Sequence, residues 1–352
     1  MEENPSVRQF ETNEGGVVFQ IPLNAFPGFW AFAYLVLTDE YVALIDTGSN
    51  FHESNQNLDQ GFEQISKVIG KSITLSDLTH IFITHGHIDH FAGLAYVRQR
   101  SNAKVGVHEL DLRNLTNYEE RLVIVSKRLG SFLLESGVST ERVGQLLDMY
   151  MMPKALFNSV EVDFTYEAVG MKVGPFSFYH TPGHCAGAVV IKLHDILFTG
   201  DHILSDITPH QSPERLTLNT GLETYLKSLL LVKNYSKDIS MGMGGHKPPI
   251  MNVHQRIDEI ISLHRERLSD ILQILEQPNT IMGISKSLFG TTDGYNILLA
   301  IEEAGAHVEY LYQRGFLAIN NLDEIKKSEA SIPIEYRRLE KGFDSNKIFP
   351  GN

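Results

Sequence analysis

The chain has 352 residues, 42% of them hydrophobic and 21% charged, enough apolar material for one large packed domain with a smaller one beside it. A net charge of −13 argues against a general nucleic-acid binder, which needs clustered lysine and arginine, and a single cysteine, Cys185, excludes an intramolecular disulfide and a cysteine-built metal site. The polar start MEENPSVRQFETNEGG lacks the basic and apolar regions of a secretory signal, and no run approaches the roughly 20 apolar residues of a membrane span, so a cytoplasmic protein without membrane contact is expected.

Runs of β-branched and aromatic residues at 17–21, 31–37 and 40–45 predict antiparallel strands. The turn Asp46-Thr47-Gly48 interrupts them, and Leu58, Phe62, Ile65 and Ile69 predict a helix over 58–70. A short buried strand at 81–83 runs into His85-Gly86-His87, followed by a helix from about 89 to 100 and a strand at 104–107. Over 108–155 helical spacing takes over, through Leu122, Val125, Leu129, Phe132 and Leu133 and then Val143, Leu146, Leu147 and Tyr150. This predicts a helical insertion that either pads the fold or serves as a lid or homodimer contact.

Strands resume at 160–164, 171–180, 188–193 and 196–199; a helix follows at 220–235 and a strand at 238–241. A long amphipathic helix is expected over 253–276, ended by Pro278. The tail carries candidate helices at 281–289, 295–305 and 307–314 and a short strand at 315–319, an order that resembles a winged helix. The expected division is a catalytic domain over 1–265 and a small C-terminal module over 266–352.

The chemistry concentrates in HGHIDH. His85, His87, Asp89 and His90 follow a strand on one tight turn, and neutral imidazole with carboxylate suits zinc, or alternatively iron, manganese or nickel. Gly86 is expected to permit the backbone conformation of that turn. Three later segments repeat the pattern of apolar strand, glycine-bearing loop and potential ligand: TPGH ending at His184, TGD at Asp201 and GGH at His246. Loops at one end of a sheet can converge on a point.

The ordered set HGHIDH, TPGH, TGD and GGH resembles the metallo-β-lactamase superfamily over roughly residues 15–265. The resemblance implies an α/β fold, a four-layer αβ/βα sandwich, and two divalent metal ions, zinc first. It places His85, His87 and His184 on one ion, Asp89, His90 and His246 on the other, and Asp201 between them. Asp46 would support the ligands from outside by fixing a ring. The two carboxylates would offset half the charge of the pair, and a bridging hydroxide, available near neutral pH, would attack an ester or phosphoryl group with Asp89 orienting it.

Within the superfamily, HxHxDH departs from the HxExD of the redox diiron members. Asp201 and the absent signal depart from exported class B β-lactamases, and no large inserted nuclease domain is evident. Residues 200–209, GGHKPP and the helix around His264 resemble hydroxyacylglutathione hydrolases and a group that includes a lactamase-like endoribonuclease. The family's usual GHGP is GHKP here, so Lys247 is a candidate contact for an anionic substrate, and His210 is a second candidate contact. The expected substrate is a small carbonyl ester, a thioester first, with phosphodiester cleavage in single-stranded nucleic acid as the alternative. The acidic tail, with no lysine or arginine over 295–303, weighs against nucleic acid. His52, His80, His108, His194, His254, His264 and His307 fall on no motif and are expected to be surface or packing residues.

Overall fold

The computed structural model describes residues 6–339; Glu340, Lys341, Asp344 and Lys347, which enter the charge balance of the tail, lie outside the described residues. Alternating apolar strands build a seven-stranded sheet of β1 (Arg8–Glu11), β2 (Val17–Phe26), β3 (Phe29–Leu37), β4 (Val42–Ile45), β5 (His80–Phe82), β6 (Lys104–Val107) and β7 (Phe164–Thr165), in that order. Pairing is antiparallel as far as β4 and parallel from β4 to β7. A second sheet holds β8 (Lys172–Val173), β9 (Phe176–His180), β10 (Val189–Leu193), β11 (Ile196–Gly200) and β12 (Met241–Gly244) in the order β12-β11-β10-β9-β8. Its β11–β12 pair is parallel and the others are antiparallel.

Val18, Tyr34, Val36, Ile45 and Phe82 of the first sheet pack with Phe176, Phe178, Val189, Ile191, Phe198 and Met243 of the second in one buried core. Each large side chain there contributes about 1.5–3 kcal/mol of hydrophobic stabilisation. Parallel pairing sets the C-terminal ends of β4 and β5 side by side, and likewise those of β11 and β12. The loops leaving these strands, together with the loop after β9, carry every candidate ligand.

The helices are α1 (His52–Ile69), α2 (Ile88–Phe91), α3 (Leu94–Val97), α4 (Glu109–Thr116), α5 (Tyr118–Glu135), α6 (Thr140–Lys154), α7 (Leu222–Tyr235), α8 (Val253–Ile274), α9 (Ile281–Phe289), α10 (Asn296–Gln313) and α11 (Leu322–Lys327). Several boundaries differ from the sequence expectation for identifiable reasons. α1 begins at His52, because its first polar turn shows no apolar spacing. The helix expected over 89–100 is the pair α2 and α3, parted where Gly93 N–H donates to Gly48 O at 2.8 Å and the backbone is so close that a Cβ would meet Thr47 O at 2.0 Å. β12 lies at Met241–Gly244 instead of 238–241, since Ser240 N–H donates to Asp195 O at 2.8 Å before the ladder starts.

Chain contacts divide the protein into two compact units. One holds the described residues up to Glu119 with Phe157–Pro209 and Leu231–Arg256, and contains both sheets above. The other holds Glu120–Leu156, His210–Leu230 and the described residues from Ile257 onward. In it, β13 (Asn279–Thr280), β14 (Leu317–Ile319) and β15 (Glu335–Arg338) form an antiparallel sheet in the order β13-β15-β14. Helix α10 is continuous where two helices were expected. Gly305 lies there because a Cβ would stand 2.6 Å from the Phe132 ring and 3.0 Å from Pro213, a packing requirement and no helix stop.

Candidate metal centre

Asp46, just past β4, adopts φ 58°, a left-handed conformation disfavoured for a residue with a side chain. Its buried carboxylate anchors the site. Oδ1 accepts from the Thr84 N–H at 2.8 Å, and Oδ2 accepts from the Thr84 hydroxyl at 2.7 Å and from His90 Nδ1 at 2.8 Å. With its proton donated to Asp46, Thr84 Oγ1 accepts from His85 Nδ1 at 3.0 Å. His246 Nδ1 donates to the Trp30 carbonyl at 2.6 Å. These three rings, when neutral, are thereby held in the tautomer whose Nε2 lone pair is bare.

The inward-facing nitrogens converge. His87 Nδ1 lies 3.2 Å from His85 Nε2 and 3.0 Å from His184 Nε2, which groups three imidazoles. In a second group, His90 Nε2 stands 3.6 Å from Asp89 Oδ2, and His246 Nε2 stands 3.3 Å from the same oxygen. Asp201 faces both groups: Oδ1 is 3.6 Å from His90 Nε2, while Oδ2 is 3.3 Å from His246 Nε2 and 3.8 Å from His184 Nε2. Gly245 closes the nest, since a Cβ there would stand 2.4 Å from His90 Cε1 and 2.5 Å from Asp201 Oδ1.

The donor set fits divalent metal. His90 Nε2, His246 Nε2 and Asp201 Oδ1 are buried without a hydrogen bond of adequate geometry, an arrangement that is costly if nothing else engages them. Carboxylate oxygens at 3.3 to 3.6 Å from those nitrogens have the spacing of neighbours on one cation, about 3.3 Å for tetrahedral bonds of about 2.0–2.1 Å.

Electrostatics divides the nest. Burial, reinforced by His90 and His87, holds His85 well below its ordinary pKa, and burial with His184 takes His87 to about 3. Burial also opposes charge on His90, but Asp201, Asp89 and Asp46 outweigh it and raise the ring well above its ordinary value. His246 rises to about 10: burial is again outweighed, here chiefly by Asp201 and Asp89. Those two carboxylates, despite burial, are held below the usual range by His90 and His246. One group is therefore neutral imidazole; the other is charge-compensated.

The other candidates, and residues beside the ligands in sequence, have the following surroundings. Lys247, at φ 69°, is exposed with Nζ 3.9 Å from Asp206. His210 belongs to the other unit, where Nε2 lies 3.1 Å from Glu302 and Nδ1 3.6 Å from Glu303. His180 donates from Nε2 to the Ala186 carbonyl at 2.8 Å. The Cys185 thiol is buried, and its sulfur lies within 4.8 Å of ligand nitrogens of His85 and His87. Gly86 is not in a left-handed conformation; it is glycine because a Cβ would stand 3.0 Å from Asn114 Cβ and 3.2 Å from Asp111 Cγ. Sequence reasoning missed Thr84, the Trp30 carbonyl, Asp111 and Phe29. The Phe29 side chain, 46% exposed, places its ring centroid 4.7 Å from that of His246. Only Thr84, beside the first motif, carried a signal.

The second unit buries a further cluster. His307 Nδ1 donates to the Glu303 carbonyl at 2.7 Å, and its Nε2 lies 3.0 Å from His264 Nδ1. Glu303 accepts from Arg267 at 2.8 Å and from Gln211 N–H at 2.7 Å.

A family model described as the Metallo-beta-lactamase superfamily matches residues 30–246, a span that includes all seven converging donors and Asp46. A curated relative, "Probable metallo-hydrolase YqjP" of Bacillus subtilis (strain 168), is 24% identical over 291 residues, covering 79% of this chain and 86% of its own length. "Endoribonuclease ysh1" of Schizosaccharomyces pombe is 31% identical over 135 residues, but that stretch is 36% of this chain and 16% of the relative. The crystal structure of a metallo-beta-lactamase family protein from Thermus thermophilus shares the fold at TM-score 0.68 and 23% identity, over 92% of this chain and 98% of that one.

Proposed function

The chain belongs to the metallo-β-lactamase superfamily and is a metal-dependent hydrolase, and from that premise we propose that it uses two divalent ions, zinc first, to hydrolyse a small carbonyl ester, a thioester being the leading substrate class. In this reading His85, His87 and His184 would hold one ion, Asp89, His90 and His246 would hold the other, and Asp201 would serve both. The observation that carries it is the convergence of ring nitrogens and carboxylate oxygens from separate loops, with three rings locked by Asp46, Thr84 and the Trp30 carbonyl. When bound, such ions supply Lewis acidity and activate water near neutral pH.

The chain's own groups do the rest. Asp89, whose carboxylate lies against His90 and His246, orients the attacking water as well as ligating. In this reading Phe29 gives the substrate an apolar surface beside His246, suited to an acyl chain, and Lys247, which follows His246 in the chain, is the candidate contact for an anionic end. The surplus of acid over base in the whole chain works against a polyphosphate substrate.

Phosphodiester cleavage is the second reading, favoured by the match to the yeast endoribonuclease over part of this chain. Purified, metal-loaded protein assayed against S-lactoylglutathione, an acyl-CoA panel, a homoserine lactone and single-stranded RNA separates the two. Turnover of a thioester with RNA left intact is the expected outcome; steady RNA cleavage with no ester turnover reverses the order.

A further inference from the structure

Helix α4 opens the segment that sequence reasoning treated as an insertion, yet its first turn reaches the ligand loops. Asp111 is fully buried. Its Oδ2 accepts from Gly86 N–H at 2.7 Å, and Gly86 is the residue between His85 and His87. Its Oδ1 accepts from Gly187 N–H at 3.1 Å, three residues beyond His184, and from Asn114 Nδ2 at 3.0 Å. One carboxylate thus ties the peptide that spaces two imidazoles to the loop that presents the third.

The surroundings are shaped for this contact. A Cβ on Gly187 would stand 2.6 Å from Asp111 N and 2.7 Å from its Cβ and Cγ; at Gly86 the clearance to Asp111 Cγ would be 3.2 Å. Gly187 therefore needs to be glycine for the carboxylate to approach, and at Gly86 a larger residue would have to displace it slightly. The helix start is fixed in turn. His108 Nδ1 accepts from Leu110 N–H at 3.2 Å, which leaves Nε2–H to donate to Glu167 Oε1 at 2.8 Å. The His108 ring stacks at 3.8 Å on His180, and His180 donates to the carbonyl of Ala186, next to Gly187.

We propose that Asp111 is a positioning residue that sets the geometry of the His85, His87 and His184 group by clamping the two loops that carry it. This rests on the reading above that these three rings hold an ion. A buried carboxylate holding two backbone N–H groups fixes both loops without touching an imidazole, so its loss should loosen one ion selectively. The Asp89, His90 and His246 group is fixed separately, by Asp46 and the Trp30 carbonyl.

The test is stepwise cobalt(II) titration of the full chain and of Asp111→Asn and Asp111→Ala, following visible absorption, with thermal unfolding alongside. The asparagine variant keeps the size but puts an NH2 group against one backbone donor, so it covers the case in which alanine fails to fold. Expected is a loss of about 10- to 100-fold in affinity for one of two cobalt equivalents, with the other unchanged, and Asp111→Asn intermediate. Two folded variants that bind both equivalents as tightly as the parent, or that lose both equally, would overturn the proposal. A parent chain that takes up no cobalt would instead overturn the metal reading, and this inference with it.

Discussion

The ligand nest and the His264–His307 cluster are built from the same side-chain types, and both are buried, but their nitrogens are employed differently. In the nest, outward-facing Nδ1 atoms are committed to Thr84, Asp46 and Trp30, while the inward atoms of His90, His246 and Asp201 lack hydrogen bonds. In the second cluster most groups engage one another, and one atom, His264 Nε2, is buried without a hydrogen bond. His307 is committed to its own helix and to His264, and Glu303 already carries the Arg267 guanidinium. His264, Glu303 and His307 also offer ligand atoms within 4.8 Å of one another, so proximity of donors does not distinguish the two. The number of unpartnered ligand atoms does, three in the nest against His264 Nε2 in the other, and so does which cluster already contains a fixed cation.

The sharpest way to break this comparison is to remove one member from each cluster. Asp201→Ala should reduce metal content and lower hydrolysis by more than about 100-fold, beyond what an outer partner costs. His264→Ala should leave metal content and turnover unchanged while costing about 2–4 kcal/mol of stability through the cavity it opens. Metal analysis and denaturant unfolding of both variants decide; an ion lost from the His264 variant would make the two clusters alike.

A smaller effect is expected at Asp46. In Asp46→Asn an amide nitrogen must face either the Thr84 N–H or the Thr84 hydroxyl and His90 together, and a neutral amide oxygen anchors the His90 ring less firmly than a carboxylate. Metal affinity should fall about 10- to 100-fold, read by competition with a chromophoric chelator. Unchanged affinity would show that Asp46 serves the backbone turn alone.

The smallest is a pH effect in the second unit. Burial opposes charge on His210, but Glu302 and Glu303 outweigh it and raise its pKa above 6.5. A raised folded-state value means that the stabilisation is fully present below the unfolded value and is lost as pH climbs through the folded one. The stability gap between the parent and His210→Ala should be on the order of 1 kcal/mol at pH 6 and should shrink by pH 9. A gap that widens with pH would reverse the sign assigned to this pair.

Much of the centre was legible because each ligand segment is a glycine-bearing loop that follows a short apolar strand, a pattern that the chain keeps whatever the fold around it does. HGHIDH places four donors within six residues, and the tertiary structure adds His184, Asp201 and His246 from loops at the ends of β9, β11 and β12. Apart from Asp46 and Thr84, the supports were not legible. Asp111 lies 25 residues from Gly86 and 76 from Gly187, on a helix whose spacing reports only its own apolar face. A backbone carbonyl such as that of Trp30 leaves no trace in residue type. Gly305 misled in the opposite direction: it suggested a helix end, whereas what it answers is Phe132, a residue far earlier in the chain. The extent of β12 was obscured because Gly242 and Gly244 have weak strand propensity.

The tight fit around Gly245 bears on any attempt to redirect this protein to new substrates. With His90 and Asp201 already within 2.5 Å of where a methyl group would sit, even alanine at that position would push the ligands apart, so variant libraries should leave it alone. The hairpin tip at Phe29, open to solvent yet adjacent to His246, is the place to introduce side-chain diversity, since the His246 ring is held by the backbone carbonyl of Trp30 and not by a side chain there.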